Sequence, residues 1–191
     1  MTTSPVSEPE LLTADEFWEL PEPAHGGRME LVAGRVVTEM PVGRLHAKLA
    51  AEIARLIGNF VRPRRLGEVH VELGHRTERE PDSVRAPDVS FISSDRLPGV
   101  TDDGFVEESP TLAIEVISKN DRERDIADKI AEYLDAGAER VWIVRPRNKT
   151  VTVHRPGGDA HTYTVRDTLT SEDAAFTAEG FSLALEDLFA E

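Results

Sequence analysis

The chain has 191 residues, no cysteine and a formal net charge of −14; 39% of its residues are hydrophobic and 30% charged. That length favours one domain with a real core, and the composition excludes a disulfide scaffold or a thiolate metal site. No apolar run approaches the ~20 residues of a bilayer-spanning helix, and the first residues lack both the basic start and the apolar stretch of a secretion signal, so a cytoplasmic protein with no membrane partner is expected.

The acidity is uneven. Residues 1–30 carry one basic and seven acidic residues, as do residues 166–191, while the stretch from Arg44 to Arg65 carries six basic residues and one acid, Glu52. The middle of the chain therefore permits phosphate contact without demanding it.

Residues 1–10 read as a disordered N-terminus and 11–191 as a single domain. Thr13 and Glu16 have the spacing of a capping box, opening a short helix that runs through Leu20 and stops at Pro21. Residues 28–40 read as a β-hairpin with its turn near Ala33-Gly34. Apolar residues at 45, 49, 53, 56, 57 and 60 mark a helix ending before Pro63. A strand is expected around Glu68–Leu73, then two apolar strands over 85–92 and 111–118, separated by a loop over 95–109. Ile126, Ile130, Tyr133 and Leu134 mark the core face of a helix over 121–136, with Gly137 as its stop. The apolar run 140–145 suits a central strand, and two further strands, 149–155 and 161–165, flank the turn at Pro156–Asp159. The acidic tail offers Phe181, Leu183, Leu185 and Phe189 for docking. Helix, three strands, helix, strand is the order of an α/β (α+β) domain around one sheet.

Two of the apolar strands contain a carboxylate, Asp88 and Glu115. Each is costly to desolvate unless paired, hydrogen-bonded or bound to a metal. Two of them at the ends of neighbouring strands suggest a cation site. Hard oxygen ligands suit Mg²⁺, or Mn²⁺, and the backbone carbonyl of Val116 could add a third. A lysine beside such an ion can orient a water or neutralise charge building on phosphorus. No Gly-rich phosphate loop and no serine-nucleophile motif points to another enzyme class.

The ordered set Arg28-Met29-Glu30-Leu31, Gly34-Arg35, His46, Pro87-Asp88-Val89-Ser90, Glu115 to Ser118, Asp125, Lys129, Tyr133, Ala136-Gly137 and Val141 to Val144 resembles the PD-(D/E)xK nuclease superfamily. Within it, the chain resembles the Uma-two-type family of restriction-endonuclease-like proteins over roughly 12–189. The resemblance implies a restriction endonuclease-like mixed central sheet flanked by helices, with an N-terminal hairpin and a C-terminal strand extension. It also implies Mg²⁺ dependence, DNA as substrate, and an endonuclease whose catalytic residues are Asp88, Glu115 and Lys129. The superfamily pattern puts its lysine two residues after the glutamate, where this chain has Ile117. The family's pattern moves the lysine to the following helix, at Lys129; Lys119, just past the strand, is the competing candidate.

The remaining candidates each have two readings. Glu30 is a further acidic ligand or an exposed strand carboxylate. His46 touches phosphate, bonds Glu30 or is structural. Asp125 is accessory to the site or simply an i,i+4 partner of Lys129 on the helix surface. Ser118 caps the next helix or bonds the metal's water shell. Arg44, Arg62, Arg64 and Arg65 contact DNA, or the last three complement a helix dipole. Tyr133 and Trp142 read as core. A homodimer through the hairpin and apolar tail would suit duplex cleavage. The competing function is a catalytically inactive nuclease-fold protein that binds DNA or a protein partner. A hydrolase of another phosphate substrate fits the same carboxylates.

Overall fold

In a computed structural model, residues 11–24, 26–99 and 103–190 are described. The expected disordered segment 1–10 lies outside them. Helix α1 (Ala14–Trp18) has the full capping box: Thr13 Oγ1 accepts from the Glu16 N–H, and Glu16 Oε2 accepts from the Thr13 N–H at 2.8 Å. It stops at Trp18, short of Leu20. The hairpin of β1 (Arg28–Val32) and β2 (Arg35–Glu39) turns through Ala33 and Gly34, both at positive φ, as a two-residue hairpin turn matched to strand twist requires. A Cβ on Gly34 would also lie 2.6 Å from that of Leu11.

Helix α2 (Arg44–Arg64) runs through Pro63 rather than ending before it. In the last turn the missing N–H costs one bond, and Arg65, in the left-handed conformation, ends the helix. The single strand expected over 68–73 is shorter, β3 (Gly67–His70), and is followed by an unforeseen β4 (His75–Glu78). The run 85–92, read as one strand, is two: β5 (Ser83–Arg85) and β6 (Val89–Ser93). Pro87 cannot donate to a ladder, and at Ala86-Pro87-Asp88 the chain passes from one sheet to another. Asp88 therefore sits at a junction and not inside a strand. Then follow β7 (Leu112–Val116), α3 (Glu123–Asp135), β8 (Arg140–Arg145), β9 (Thr150–His154), β10 (Ala160–Thr164), β11 (Thr168–Thr170), β12 (Ser182–Ala184) and the one-turn α4 (Leu185–Leu188). Gly137, at φ 101, follows α3 as its stop.

The main sheet has six strands in the order β10-β9-β8-β7-β6-β3, with β7 and β8 parallel and their neighbours antiparallel. A second sheet has the order β2-β1-β5-β4, and β11 pairs with β12 alone. This is the mixed sheet flanked by helices, with an N-terminal hairpin and a C-terminal extension, that the sequence predicts. Period-two alternation sends Leu112, Ile114, Val116, Trp142 and Val144 to a large apolar core with α2 and the tail. Ala113, Val141 and Ile143 point the other way, to Ile126 and Tyr133 of α3. Trp142 is core, as expected, and its indole N–H donates to the Asp173 carbonyl at 2.7 Å. Phe181, Leu183, Leu185 and Phe189 are buried in the chain's own core. The tail therefore cannot supply the apolar dimer contact expected of it. Each such side chain, fully buried, contributes about 1.5–3 kcal/mol. Among the described residues no helix is long and apolar enough to cross a membrane.

Candidate active site

Register brings the two carboxylates together. Val89 of β6 lies opposite Ile114 of β7, so one step along the same antiparallel register places Asp88 opposite Glu115. Val89 and Ile114 face the α2 core, so Asp88 and Glu115 face the α3 side. Both are buried, at 2% and 6% exposure. Asp88 Oδ2 accepts the Val116 N–H at 2.7 Å, so Val116, expected to offer its carbonyl, holds Asp88 through its amide.

The hairpin supplies the next layer. Arg28 and Glu39 are register partners, and Glu30 shares their face of β1, while Leu31 points away to the α1 core. The Arg28 guanidinium lies 3.1 Å from Asp88 Oδ1, 3.9 Å from Glu115 Oε2 and 2.6 Å from Glu39 Oε2. Glu30 is not an exposed strand carboxylate: it is 1% exposed and accepts from Arg85 Nη1 at 2.9 Å and from the Ala86 N–H at 3.2 Å. Arg85 also makes a two-pronged pair with Glu132 of α3, 2.5 Å on each arm.

Helix α3 brings the lysine. Ile126, Lys129, Ile130 and Tyr133 fall on one face at i, i+3, i+4 and i+7, so packing the isoleucines on the sheet points Lys129 and Tyr133 at the carboxylates. Lys129 Nζ stands 2.7 Å from Glu39, 3.1 Å from Glu30 and 3.6 Å from Glu115. The expected surface pair with Asp125 is not formed. Asp125 and Lys119 are both exposed and line the mouth of the pocket rather than its floor. The Tyr133 hydroxyl donates to Glu115 Oε1 at 2.9 Å, a contact beyond the packing role read from its pattern. His46, near the start of α2, lies with Nε2 3.1 Å from Asp88 Oδ1 and Nδ1 3.3 Å from Ser118 Oγ. It bonds Asp88, not Glu30. Ser118 does not cap α3, whose N-cap position is Arg122.

Five carboxylates (Glu30, Glu39, Asp88, Glu115, Glu132) thus meet three permanent cations (Arg28, Arg85, Lys129). Burial and these ion pairs both show in the titrations. Burial, with Asp88 and Glu30 nearby, pushes Glu115 up to about 7 despite Lys129 and Arg28. Asp88 goes the other way: burial opposes ionisation, but the His46 hydrogen bond, Arg28 and the Val116 amide outweigh it. Burial would lower His46, yet its bond to Asp88 raises it. Lys129 is likewise raised, because Glu115, Glu30 and Glu39 outweigh its desolvation. It is a cation, not a proton acceptor, near neutral pH.

The donor chemistry fits a hard divalent ion, since Asp88 and Glu115 are paired carboxylates whose negative charge the protein's own cations leave in excess. No group of three or more His, Cys, Asp or Glu converges as a metal site among the described residues. Two protein carboxylates with remaining positions left to water and phosphate is the arrangement Mg²⁺ tolerates. The site opens into a pocket of about 780 Å³. Its walls are the hairpin, the start of α2, the segment 117–121, α3, and the turn after β8 at Pro146-Arg147.

Not every candidate gathers here. Arg44 is exposed at the first turn of α2. Arg62, Arg64 and Arg65 are at the other end of that helix, about 24–29 Å along its axis from His46 at ~1.5 Å per residue. There Arg64 donates to the Phe60 carbonyl and stacks over the Phe60 ring at 4.2 Å, which serves the helix end rather than the pocket. Sequence reasoning overlooked Arg28, Glu39 and Arg85 as site residues. The hairpin register could have exposed the first two, because a turn at Ala33-Gly34 makes Arg28 and Glu39 neighbours. Arg85 and Glu132 meet only through tertiary packing.

A family model described as "Putative restriction endonuclease", Uma2, matches residues 14–186. The chain is similar to a crystal structure of "a putative nuclease belonging to DUF820" from Anabaena variabilis: 25% identity, a TM-score of 0.75, and coverage of 93% of this chain and 97% of that one. No curated protein matches.

Proposed function

Since the chain belongs to the Uma2 family, described as "Putative restriction endonuclease", we propose that it is a Mg²⁺-dependent endonuclease hydrolysing DNA phosphodiester bonds, with Asp88, Glu115 and Lys129 as its catalytic residues. The observation that carries this reading is their convergence, from a strand junction, a strand and a helix, on the floor of one pocket.

Asp88 and Glu115 would hold the ion. Bound there, Mg²⁺ or Mn²⁺ supplies an electrophilic clamp on the phosphate and a water of lowered pKa. His46 and the Val116 amide fix Asp88, and Tyr133 fixes Glu115, so neither carboxylate must reorganise as substrate enters. Lys129, kept protonated by its three carboxylate neighbours, neutralises negative charge developing on the phosphorus oxygens. Glu30 and Glu39 anchor Lys129, and Arg85 with Glu132 ties that anchor to α3. Lys119 is a rim residue in this scheme.

The test is cleavage of plasmid DNA by rigorously purified protein with Mg²⁺ or Mn²⁺. Asp88→Asn and Lys129→Ala should each lower the rate by about 10²–10³-fold, while Lys119→Ala keeps the chemistry. Loss of cleavage with Lys119→Ala and not with Lys129→Ala would transfer the role to Lys119. Pure protein that binds DNA with neither metal supporting cleavage would favour the inactive, binding-only reading.

A further inference from the structure

The pocket says something about the form of DNA that reaches it. The carboxylates lie at its floor: Glu30, Asp88 and Glu115 are 1%, 2% and 6% exposed. The walls above them are the hairpin and α3, both held by the buried ion pairs of Lys129 and Arg85. A duplex presents its phosphates on a stiff rod and cannot turn one of them away from its neighbours toward a recessed floor. A single strand can bend a phosphate inward and splay its bases.

The rim is sorted to suit that shape. Val37, Met40, Val42 and Leu45 line the hairpin side and the entry to α2, and all are exposed apolar side chains, Met40 at 78%. An exposed apolar patch flanked by polar groups marks an interaction site, and the face of an unstacked base can lie against such side chains. Lys119 and Arg147, from the loops after β7 and β8, are the exposed cations of the rim. Asp125 and Asp128 of α3, with Asp121 just before that helix, are exposed on the same rim and repel a phosphate chain from their side. A backbone is thus steered past Lys119 and Arg147, with bases toward the hairpin. Global charge agrees: a chain of net charge −14 repels a duplex, with a charge about every 1.7 Å, more than one strand with a charge about every 3.4 Å.

We infer that the pocket takes a single-stranded DNA segment, bases against the Val37–Leu45 wall and phosphates along Lys119 and Arg147, rather than an intact duplex. This rests on the nuclease reading for the reaction but not for the binding.

The experiment is fluorescence anisotropy of a labelled 20-nucleotide strand and of its duplex with the full chain in EDTA, repeated over a range of salt. The single strand should bind at least about ten-fold tighter than the duplex. Joint Lys119→Glu and Arg147→Glu substitution should weaken strand binding and flatten its log–log salt slope by about 1.4, for two phosphate contacts at ~0.7 each. Equal or tighter duplex binding, or an unchanged slope, overturns the inference. So would a concentration-dependent dimer abolished by Met40→Glu, which would assign the apolar wall to a second copy. A parallel cleavage assay with Mn²⁺ separates the two readings. Duplex cut as fast as single strand removes this inference and keeps the nuclease; strand binding that depends on Lys119 and Arg147, with no cutting in Mn²⁺ or in Mg²⁺, removes the nuclease and keeps this inference.

Discussion

On the α2 side of the six-stranded sheet, β7 and β8 present Leu112, Ile114, Val116, Trp142 and Val144 to a broad apolar core. On the α3 side the same two strands present Ala113, Glu115, Val141 and Ile143 to a smaller cluster that ends in a web of charge. The contrast falls within single strands, residue by residue. It teaches that stability and chemistry are divided between faces: one face can carry five carboxylates because the other, with α2 and the tail, supplies the apolar burial.

The sharpest way to break this comparison is to damage the apolar face alone. Trp142→Ala should cost about 3–5 kcal/mol in denaturant unfolding, while the protein that remains folded keeps its rate per molecule. A loss of rate in proportion to the residual folded fraction supports the division; a far larger loss would mean that the faces are coupled.

Next in size is the pH dependence of the charged face. Folded Glu115 releases its proton at about 7 against an ordinary 4.5. Between those values the folded state holds a proton that the unfolded chain has lost, so metal-free stability falls as pH rises through about 7. Raised His46 adds in the same sense: its contribution is present below the ordinary histidine value of 6.5 and is lost as pH rises through its higher folded value. Buried His75, pushed down to about 4, and His154, also lowered, act in the opposite sense below 6.5, so the Glu115 contribution is read as a difference: the melting temperature of Glu115→Gln relative to the unaltered protein should rise between about pH 5 and pH 7. A difference that does not change with pH would remove the buried, protonated Glu115 from the account.

The smallest expected effect is Tyr133→Phe, which deletes only the donor to Glu115 Oε1. It should cost about 1 kcal/mol and move the pH decline upward, since a hydrogen bond to the ionised form holds a carboxyl pKa down. No movement would show that burial alone sets Glu115.

Much of the architecture was legible because it follows local rules. The Thr13–Glu16 box, the Ala33-Gly34 turn, the α2 stripe, Gly137 and the run 140–145 each state their own conformation. Where reading failed, the deciding contact was distant. β5 and β6 look like one apolar strand, and only their pairing partners in different sheets divide them. The tail's phenylalanines and leucines read equally as dimer surface or core; folding back onto α2 chose core. Of the candidate site, Asp88 and Glu115 stood out as carboxylates in apolar runs, which is an anomaly in the sequence itself, and Lys129 came from the family resemblance. Arg28 and Glu39 did not, because charged residues at the ends of short hairpin strands are ordinary, and Arg85 did not, because it heads an apolar run.

The sequence by itself determined most of the helices and turns, the strands with clear periodicity, which faces are apolar, and that two carboxylates lie in apolar runs. Periodicity and turn chemistry act over a few residues, so they are written locally. Tertiary structure alone decided what surrounds those carboxylates. Lys129, Arg28 and His46 come from a helix, a hairpin and another helix, brought to Asp88 and Glu115 by sheet register and core packing. The charge each group feels depends on distances between atoms that are up to 99 residues apart along the chain.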